Sequence, residues 1–161
     1  MSAAAEALDD GMARTLRFLA VAMGLGIALI ALVSVVFYAR SAEAVPTPRS
    51  LQLINLLTIV SAGYALATIV ASELLWKKMI AGAVAADVNM KVQKAFIVRS
   101  VTREGGALLG AVTFFIACQN GVLRAYPAYW IDLVPAALFW SFLYVHWPSL
   151  ENLKAEVGGI Q

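Results

Sequence analysis

Charged side chains at the edges of the apolar blocks are the first candidates for chemistry in this sequence. They are Glu73, Arg99, Arg103, Glu104 and His146. Charged groups inside or beside a bilayer are expensive to bury and often functional, so an inner-rim cluster of these five could bind protons or a ligand. The alternative, which the sequence favours, is structural, because each residue lies near a block end, where a long side chain reaches the interface or an ion partner.

A row of uncharged polar residues runs along the second apolar block. It consists of Gln52, Asn55, Thr58, Ser61 and Thr68. Spacings of about three and four residues put them near one face of a helix. Such a polar stripe, ending near Glu73, could line a path for protons or cations. If its hydroxyls instead donate to backbone carbonyls in a packed interior, that path does not exist.

Residues that commonly hold metals or cofactors are few. The chain has one histidine, His146, and one cysteine, Cys118. A haem between helices usually needs two axial ligands, and one thiol supplies neither a metal pair nor a redox couple. No nucleophile–base pair or phosphate-binding loop is evident. We therefore expect no cofactor, no metal site and no enzymatic activity.

One segment resembles a known family. The run Glu104-Gly-Gly-Ala-Leu-Leu-Gly-Ala-Val-Thr-Phe-Phe-Ile-Ala is similar to the second helix of rotary ATP synthase proteolipids, in which a carboxylate stands in an apolar run of small residues. The resemblance implies that Glu104 would match the proton-binding carboxylate. It covers about 14 residues, and the first apolar block lacks the dense glycine repeat of that family. It makes Glu104 the first carboxylate to test.

The elements that must position these side chains follow from the composition. Of 161 residues, 61% are hydrophobic and 14% charged, and the mean hydropathy is +0.80. Soluble domains are about a quarter charged, so this chain has too few polar side chains for a water-exposed surface. Its uncharged blocks are near the roughly 20 residues that span a bilayer. We predict an all-α polytopic membrane protein, one domain over residues 1–161, with four transmembrane helices at about 15–39, 50–78, 87–120 and 129–147.

Positive charges predict the orientation, because Lys and Arg concentrate in short cytoplasmic flanks. With both termini inside, the cytoplasmic side holds Arg14, Arg17, Lys77, Lys78, Lys91, Lys94, Arg99, Arg103 and Lys154, and the outer side holds Arg40, Arg49 and Arg124. The N-terminal arm 1–14 and the C-terminal tail 148–161 would then be cytoplasmic. We expect a bacterial cytoplasmic (inner) membrane and contact with anionic headgroups on that side. A net charge of +2 gives no indication of nucleic-acid binding.

The connections between the blocks differ in length. Short loops at residues 40–50 and 120–127 predict two antiparallel hairpins, one of the first and second helices and one of the third and fourth. On the inner side, Gly82 predicts a helix end and Asp87 an N-cap. From there the third helix continues to about Gln119, roughly 50 Å at 1.5 Å per residue. An amphipathic stretch before residue 104 should therefore project into the cytoplasm or lie on the membrane surface.

Small residues at four-residue spacing predict helix packing faces. The pairs are Gly106 with Gly110, Ala20 with Gly24, and Gly63 with Ala67. In lipid, such residues let two backbones approach and gain dispersion contacts. We interpret them as internal packing faces, with self-association as the alternative.

Two functional hypotheses follow. We favour a non-enzymatic accessory or scaffold subunit that binds a protein partner, or a second copy, through its helix faces and cationic inner segment. The alternative is a small proton or cation transporter or channel component in which Glu104 and Glu73 titrate. A membrane-embedded enzyme acting on an anionic lipid is the least supported class.

Overall fold

The protein is all-helical in the computed structural model, which describes residues 3–41 and 44–159. The elements are α1 (Ala3–Glu6), α2 (Asp10–Arg40), α3 (Pro48–Ile80), α4 (Val88–Gln119), α5 (Val122–Ala125), a 3-10 helix (Pro127–Leu133), α6 (Val134–Val145) and α7 (Leu150–Gly158). No strand occurs in the described part of the chain. The predicted all-α class is confirmed.

Four segments are long and apolar enough to cross a membrane. They are Asp10–Arg40, Pro48–Ile80, Val88–Gln119 and the combined 3-10 and α6 segment Pro127–Val145. They correspond to the four predicted helices, although α2 begins earlier than residue 15. The fourth is not one uniform α-helix. Pro135 lies in the first turn of α6, and its ring blocks the carbonyl of Ile131, so the α-helix cannot extend back through the 3-10 segment.

Local sequence signals account for the other helix ends. Thr47 and Ser50 form a capping box at the start of α3, with each side chain accepting from the backbone N–H of the other at 3.1 and 3.0 Å. Gly82 has φ +69° just after α3, so it is the predicted helix stop. Asp87 occupies the predicted N-cap of α4, but its carboxylate accepts from the backbone N–H of Val84 at 3.0 Å instead of from the first turn.

The helix α4 is the one on which the others pack. The helices α2, α3 and α6 all lie against it. Although few residues separate α2 from α3 in the sequence, each of them packs mainly on α4. The reason lies in the small side chains of α4, since Gly106, Ala107, Gly110 and Ala111 are all buried and let neighbours approach from different sides.

The two glycines predicted on the third helix are both close-approach positions. A β-carbon at Gly106 would lie 3.0 Å from the Cα of Ala65 in α3. A β-carbon at Gly110 would lie only 2.7 Å from the backbone carbonyl oxygen of Asp132, in the 3-10 helix. The pair therefore serves two different neighbours, and the Gly110 contact leaves no space for any side chain.

The other two glycines give opposite results. Gly24 faces α6, where a β-carbon would lie 3.2 Å from the ring of Trp140. Gly63 has no atom within 4 Å of such a β-carbon, and both Gly63 and Ala67 are exposed. The prediction of an internal packing face at Gly63 is therefore wrong for the single chain, because this side of α3 faces away from α4.

The helices α1 and α7 and the α3–α4 connection lie at one end of the bundle, here called the terminal end. The end of α2, the start of α3 and the segment 120–126 form the opposite end, here called the loop end. At the terminal end, α1 packs against α7. The side-chain amide of Asn89 donates to the carbonyl of Ala7 and accepts from the N–H of Asp9, both at 3.0 Å. Within the described residues, the predicted arm 1–14 and tail 148–161 thus contain the packed helices α1 and α7.

The amphipathic stretch of α4 is covered by the chain itself. Its residues Val88, Val92 and Phe96 are buried in one hydrophobic core with Met12 of α2 and Leu153 of α7. The predicted continuity of the third helix from Val88 to Gln119 is confirmed. The apolar face of the amphipathic stretch, however, is covered by other helices of the same chain and does not face a membrane surface.

We predict that Gly110→Ala lowers the free energy of unfolding by about 1 to 3 kcal/mol, because the new methyl group overlaps the Asp132 carbonyl. The matched control is Gly63→Ala, which has open space and should be neutral or slightly stabilising. Reversible unfolding of the full chain in detergent micelles measures both. Equal stability of the two variants would contradict the close approach of α4 to the 3-10 helix.

Candidate functional site

Four charged side chains and one imidazole meet at the terminal end between four elements. This charge cluster comprises Glu73 of α3, Arg99 and Arg103 of α4, His146 at the end of α6, and Glu156 of α7. Four of the five predicted inner-rim residues are in it. The fifth, Glu104, is not, and Glu156 was not predicted.

The guanidinium of Arg99 is the centre of the charge cluster. Its Nε and Nη2 donate to Oε1 of Glu73 at 2.9 and 2.6 Å, and its Nη1 donates to Oε2 of Glu156 at 2.9 Å. The Arg99 side chain is only 3% exposed. A buried guanidinium is tolerated only where carboxylates neutralise it and its donors are used, and both conditions hold here.

Aromatic rings enclose the two guanidinium groups. The Cζ of Arg99 lies 4.9 Å from the centre of the Trp76 ring and 5.1 Å from that of Phe142. The Cζ of Arg103 lies 4.1 Å from the centre of the same Phe142 ring. Such cation–π contacts add about 0.5 to 2 kcal/mol each, depending on desolvation, and they keep water from the ion pairs.

Arg103 is the second arginine that donates to Glu73. The Nη2 of Arg103 donates to Oε1 of Glu73 at 2.5 Å, and its Nε donates to the hydroxyl of Ser72 at 2.8 Å. One carboxylate oxygen of Glu73 thus accepts from two guanidinium groups. The arrangement ties two turns of α4 to one turn of α3.

Glu156 and His146 link α7 to the end of α6. The Nδ1 of His146 and the Oε1 of Glu156 are 2.6 Å apart, and Nε2 of the ring lies 3.4 Å from Nη2 of Arg99. In the tautomer with its proton on Nδ1, the ring donates to Glu156 and its Nε2 accepts from Arg99, because an arginine nitrogen only donates. Burial acts to raise the pKa of Glu156, but the hydrogen bond from His146 and the charge of Arg99 outweigh it, so the pKa is lowered.

Glu104 lies outside the charge cluster because of helical geometry. It follows Arg103 directly, and successive residues of an α-helix point about 100° apart. Its side chain is partly exposed and makes no hydrogen bond or ion pair with the described residues. The prediction that Glu104 joins the inner-rim cluster is therefore wrong.

The sequence around Glu156 has the pattern of a capped amphipathic helix. Ser149 accepts a hydrogen bond from the N–H of Asn152 at the start of α7, which is a normal N-cap. Leu153 and Val157 follow at a spacing of four and are buried. A serine cap followed by apolar residues at this spacing predicts a packed helix. The glutamates of such a helix are then candidates for ion pairs with the rest of the bundle.

The polar stripe does not form an open path. The hydroxyl of Ser61 donates to the carbonyl of Thr58 at 3.1 Å, and that of Thr68 donates to the carbonyl of Ala65 at 2.9 Å. Both side chains are buried. These hydroxyls are therefore used within their own helix, which is the arrangement that disfavours conduction.

The remaining stripe residues have separate environments. Gln52 and Asn55 are exposed at the loop end, where Oδ1 of Asn55 accepts from the Tyr129 hydroxyl at 2.5 Å. Thr58 is partly buried, and its hydroxyl oxygen has no hydrogen-bond partner among the described residues. The five residues therefore do not act as one chain of polar groups.

The described residues contain no grouping that suggests a metal or redox centre. Within the described residues, no three His, Cys, Asp or Glu side chains are placed to share a metal ion. The single thiol, Cys118, is buried.

No family model, curated protein or solved structure matches the chain significantly. The functional argument consequently depends on the geometry of this chain.

We predict that Arg99→Met destabilises the protein by about 2 kcal/mol or more, because two partly buried carboxylates lose their shared cation. The control is Arg14→Gln, which removes an ion pair to Asp10 whose arginine is 78% exposed and should change stability by less than about 1 kcal/mol. Unfolding of both variants is measured in the same micelles. A loss for Arg99→Met no larger than that of the control would contradict a stabilising charge cluster.

We also predict a specific loss of stability in acid. Because the folded-state pKa of Glu156 lies below its ordinary value of 4.5, its contribution is complete above that value and disappears as the pH falls through the folded pKa. Glu156→Gln should therefore flatten the acid side of the plot of unfolding free energy against pH. Glu151→Gln, an exposed change on the same helix, is the control. An unchanged acid slope in Glu156→Gln would exclude this role of the carboxylate.

Proposed function

We propose that this chain is a non-enzymatic accessory or scaffold subunit of a membrane complex. We further propose that it lies in a bacterial cytoplasmic membrane with both termini, and hence the terminal end, on the cytoplasmic side. One observation carries the proposal: the five side chains of the charge cluster bond to one another in a closed network that holds four helical elements together. Such a network suits a rigid subunit rather than a catalyst.

The balance of the charge cluster supports this proposal. Two arginines face two glutamates, and the imidazole bridges one carboxylate and one guanidinium. A group that carries protons must lose its partners in part of each cycle. Glu73 has both arginines on one oxygen, so releasing it would leave Arg103 without its carboxylate and Arg99 with Glu156 alone.

A partner surface is available beside the charge cluster. Lys77 and Lys78 of α3 and Lys94 of α4 are exposed and make no ion pair with a described residue. The contact of Glu73 with Arg99 sets α3 and α4 side by side, so that the next turn of each carries these lysines at similar depth. Each lysine near an anionic surface contributes about 1 kcal/mol. We propose that this cationic face adjoins anionic headgroups and the acidic surface of a partner.

The alternative function, proton or cation transport, keeps one supporting observation. Glu104 is partly buried within a span and has no partner among the described residues. The polar stripe that would lead to it is interrupted by hydroxyls bonded to their own backbone. Transport therefore has less support than the scaffold role, and it can be tested separately.

We expect the chain to purify as part of a larger assembly. In a mild detergent, the protein mass of the purified particle should exceed the 17.2 kDa of one chain, as measured by light scattering on a sizing column. Lys77→Gln/Lys78→Gln should weaken retention of the partner by about tenfold or more, at about 1 kcal/mol for each lysine. The control Arg40→Gln/Arg49→Gln removes two exposed charges at the loop end and should not. A wild-type particle of one chain, or equal losses in both doubles, would contradict the proposal.

We expect no ion flux above that of protein-free vesicles when the chain is reconstituted into liposomes. Proton and monovalent cation fluxes are measured with internal dyes for the wild type, Glu104→Gln and Glu73→Gln. A wild-type flux that disappears in Glu104→Gln would overturn the scaffold assignment in favour of transport. A flux that persists in both variants would exclude the two glutamates as its carriers.

A further inference from the structure

One buried carboxylate of the span region lies far from the charge cluster and has no partner. Asp132, in the 3-10 helix at the loop end, is 1% exposed, and neither carboxylate oxygen has a hydrogen-bond partner among the described residues. Burial without hydrogen bonds or a counter-charge is among the most expensive states for a carboxylate. Asp132 is the one carboxylate among the few buried polar groups of the described residues that lack a hydrogen-bond partner, and a group of this kind calls for a ligand.

The structure explains how Asp132 becomes so deeply placed. Gly110 of α4 allows the backbone of the 3-10 helix to approach to within 2.7 Å of the position where a β-carbon would stand. The burial is thus imposed by helix packing. The loop-end cation Arg124 is engaged elsewhere, because it donates to the carbonyl of Tyr38 at 3.0 Å and lies against the ring of that tyrosine.

A second unsatisfied polar group stands beside the carboxylate. The Thr58 hydroxyl is close enough to interact with Asp132, yet it lacks the geometry of a hydrogen bond to any described residue. The two groups come from different helices, α3 and the 3-10 helix. Together they offer a negative charge and a hydroxyl acceptor at one point.

These two residues line a cavity of about 230 Å³ between α3 and α6. The rest of its wall is almost entirely apolar and includes Ala62, Pro135 and Leu138. The residues at its outer margin, Leu66, Ile131 and Val134, are exposed and lie within spans. The cavity is therefore open toward the side of the bundle that would face lipid.

We propose that this cavity binds a small membrane-partitioning amine, with its ammonium group on Asp132 and Thr58 and its apolar body against α3 and α6. An apolar cavity of about 150 Å³ holds benzene in another protein, so this volume suits one ring with a short aminoalkyl chain. Binding then requires the Asp132 side chain to rotate toward the cavity, because both carboxylate oxygens are shielded in the unliganded chain.

The chemistry of the cavity selects this class of ligand. An anion would meet the uncompensated carboxylate and be repelled. A neutral hydrocarbon would fill the volume but leave Asp132 and Thr58 unsatisfied. A protonated amine supplies the missing positive charge and the missing donors, and a charge-assisted hydrogen bond in a water-poor site is among the strongest polar contacts.

The test compares two probes of nearly equal shape on the full chain in detergent micelles. The probes are 2-phenylethylamine and the uncharged n-propylbenzene. Each is titrated while the thermal unfolding midpoint is recorded, because a ligand that binds only the folded state raises that midpoint. We expect the amine to bind the wild type about tenfold or more tightly than the hydrocarbon, as one charged hydrogen bond provides.

Two variants complete the test. Asp132→Asn should weaken amine binding by about tenfold or more and leave hydrocarbon binding unchanged. Ala62→Phe, which fills the cavity from α3, should remove the binding of both probes, whereas Ala67→Phe on the exposed face outside the cavity should leave both in place.

Equal affinity of the wild type for the two probes would overturn the proposal without any variant, so the result does not depend on the folding of Asp132→Asn. Undiminished amine binding in Asp132→Asn or in Ala62→Phe would overturn it as well. None of these outcomes bears on assembly with a partner, which keeps this inference separate from the proposed scaffold function.

Discussion

The burial of one guanidinium, that of Arg99, is the constraint on which the terminal end of this protein depends. A cation that is 3% exposed requires compensating charge from close neighbours. Glu73 of α3 and Glu156 of α7 provide it, and His146 orients the latter. Three helices, α3, α6 and α7, are therefore fixed relative to α4 by the requirements of a single side chain.

At the loop end, close packing of two backbones determines the structure, and one buried polar side chain is left without a hydrogen bond. Gly110 brings the 3-10 helix against α4, and this contact carries Asp132 into an apolar region where its carboxylate has no partner. The bundle pairs the buried arginines of its charge cluster with carboxylates at one end and leaves a buried carboxylate without a partner at the other. Such groups tend to mark binding sites, because folding alone does not favour them.

One physical reason explains which cluster residues could be predicted: the sequence indicates the depth of a residue but not the direction of its side chain around the helix axis. Depth in the membrane can be read from the position of a residue in its block, so Glu73, Arg99, Arg103 and His146 were predicted to share one level. Direction around the helix axis depends on which neighbour packs on which face. Glu104 shares the level but points elsewhere, and Glu156 comes from a segment that looked like a tail.

The sequence by itself determined the helical class, the four spans and most helix ends, because hydropathy, capping residues and glycine stops act locally. Helix Val88–Gln119 and the stop at Gly82 are examples. Only the tertiary structure decided that α2 and α3 pack on α4, that Gly63 faces outward, that the chain termini cover the amphipathic stretch and that Asp132 is buried without a partner. These features depend on the rotation and approach of whole helices, which no local pattern encodes.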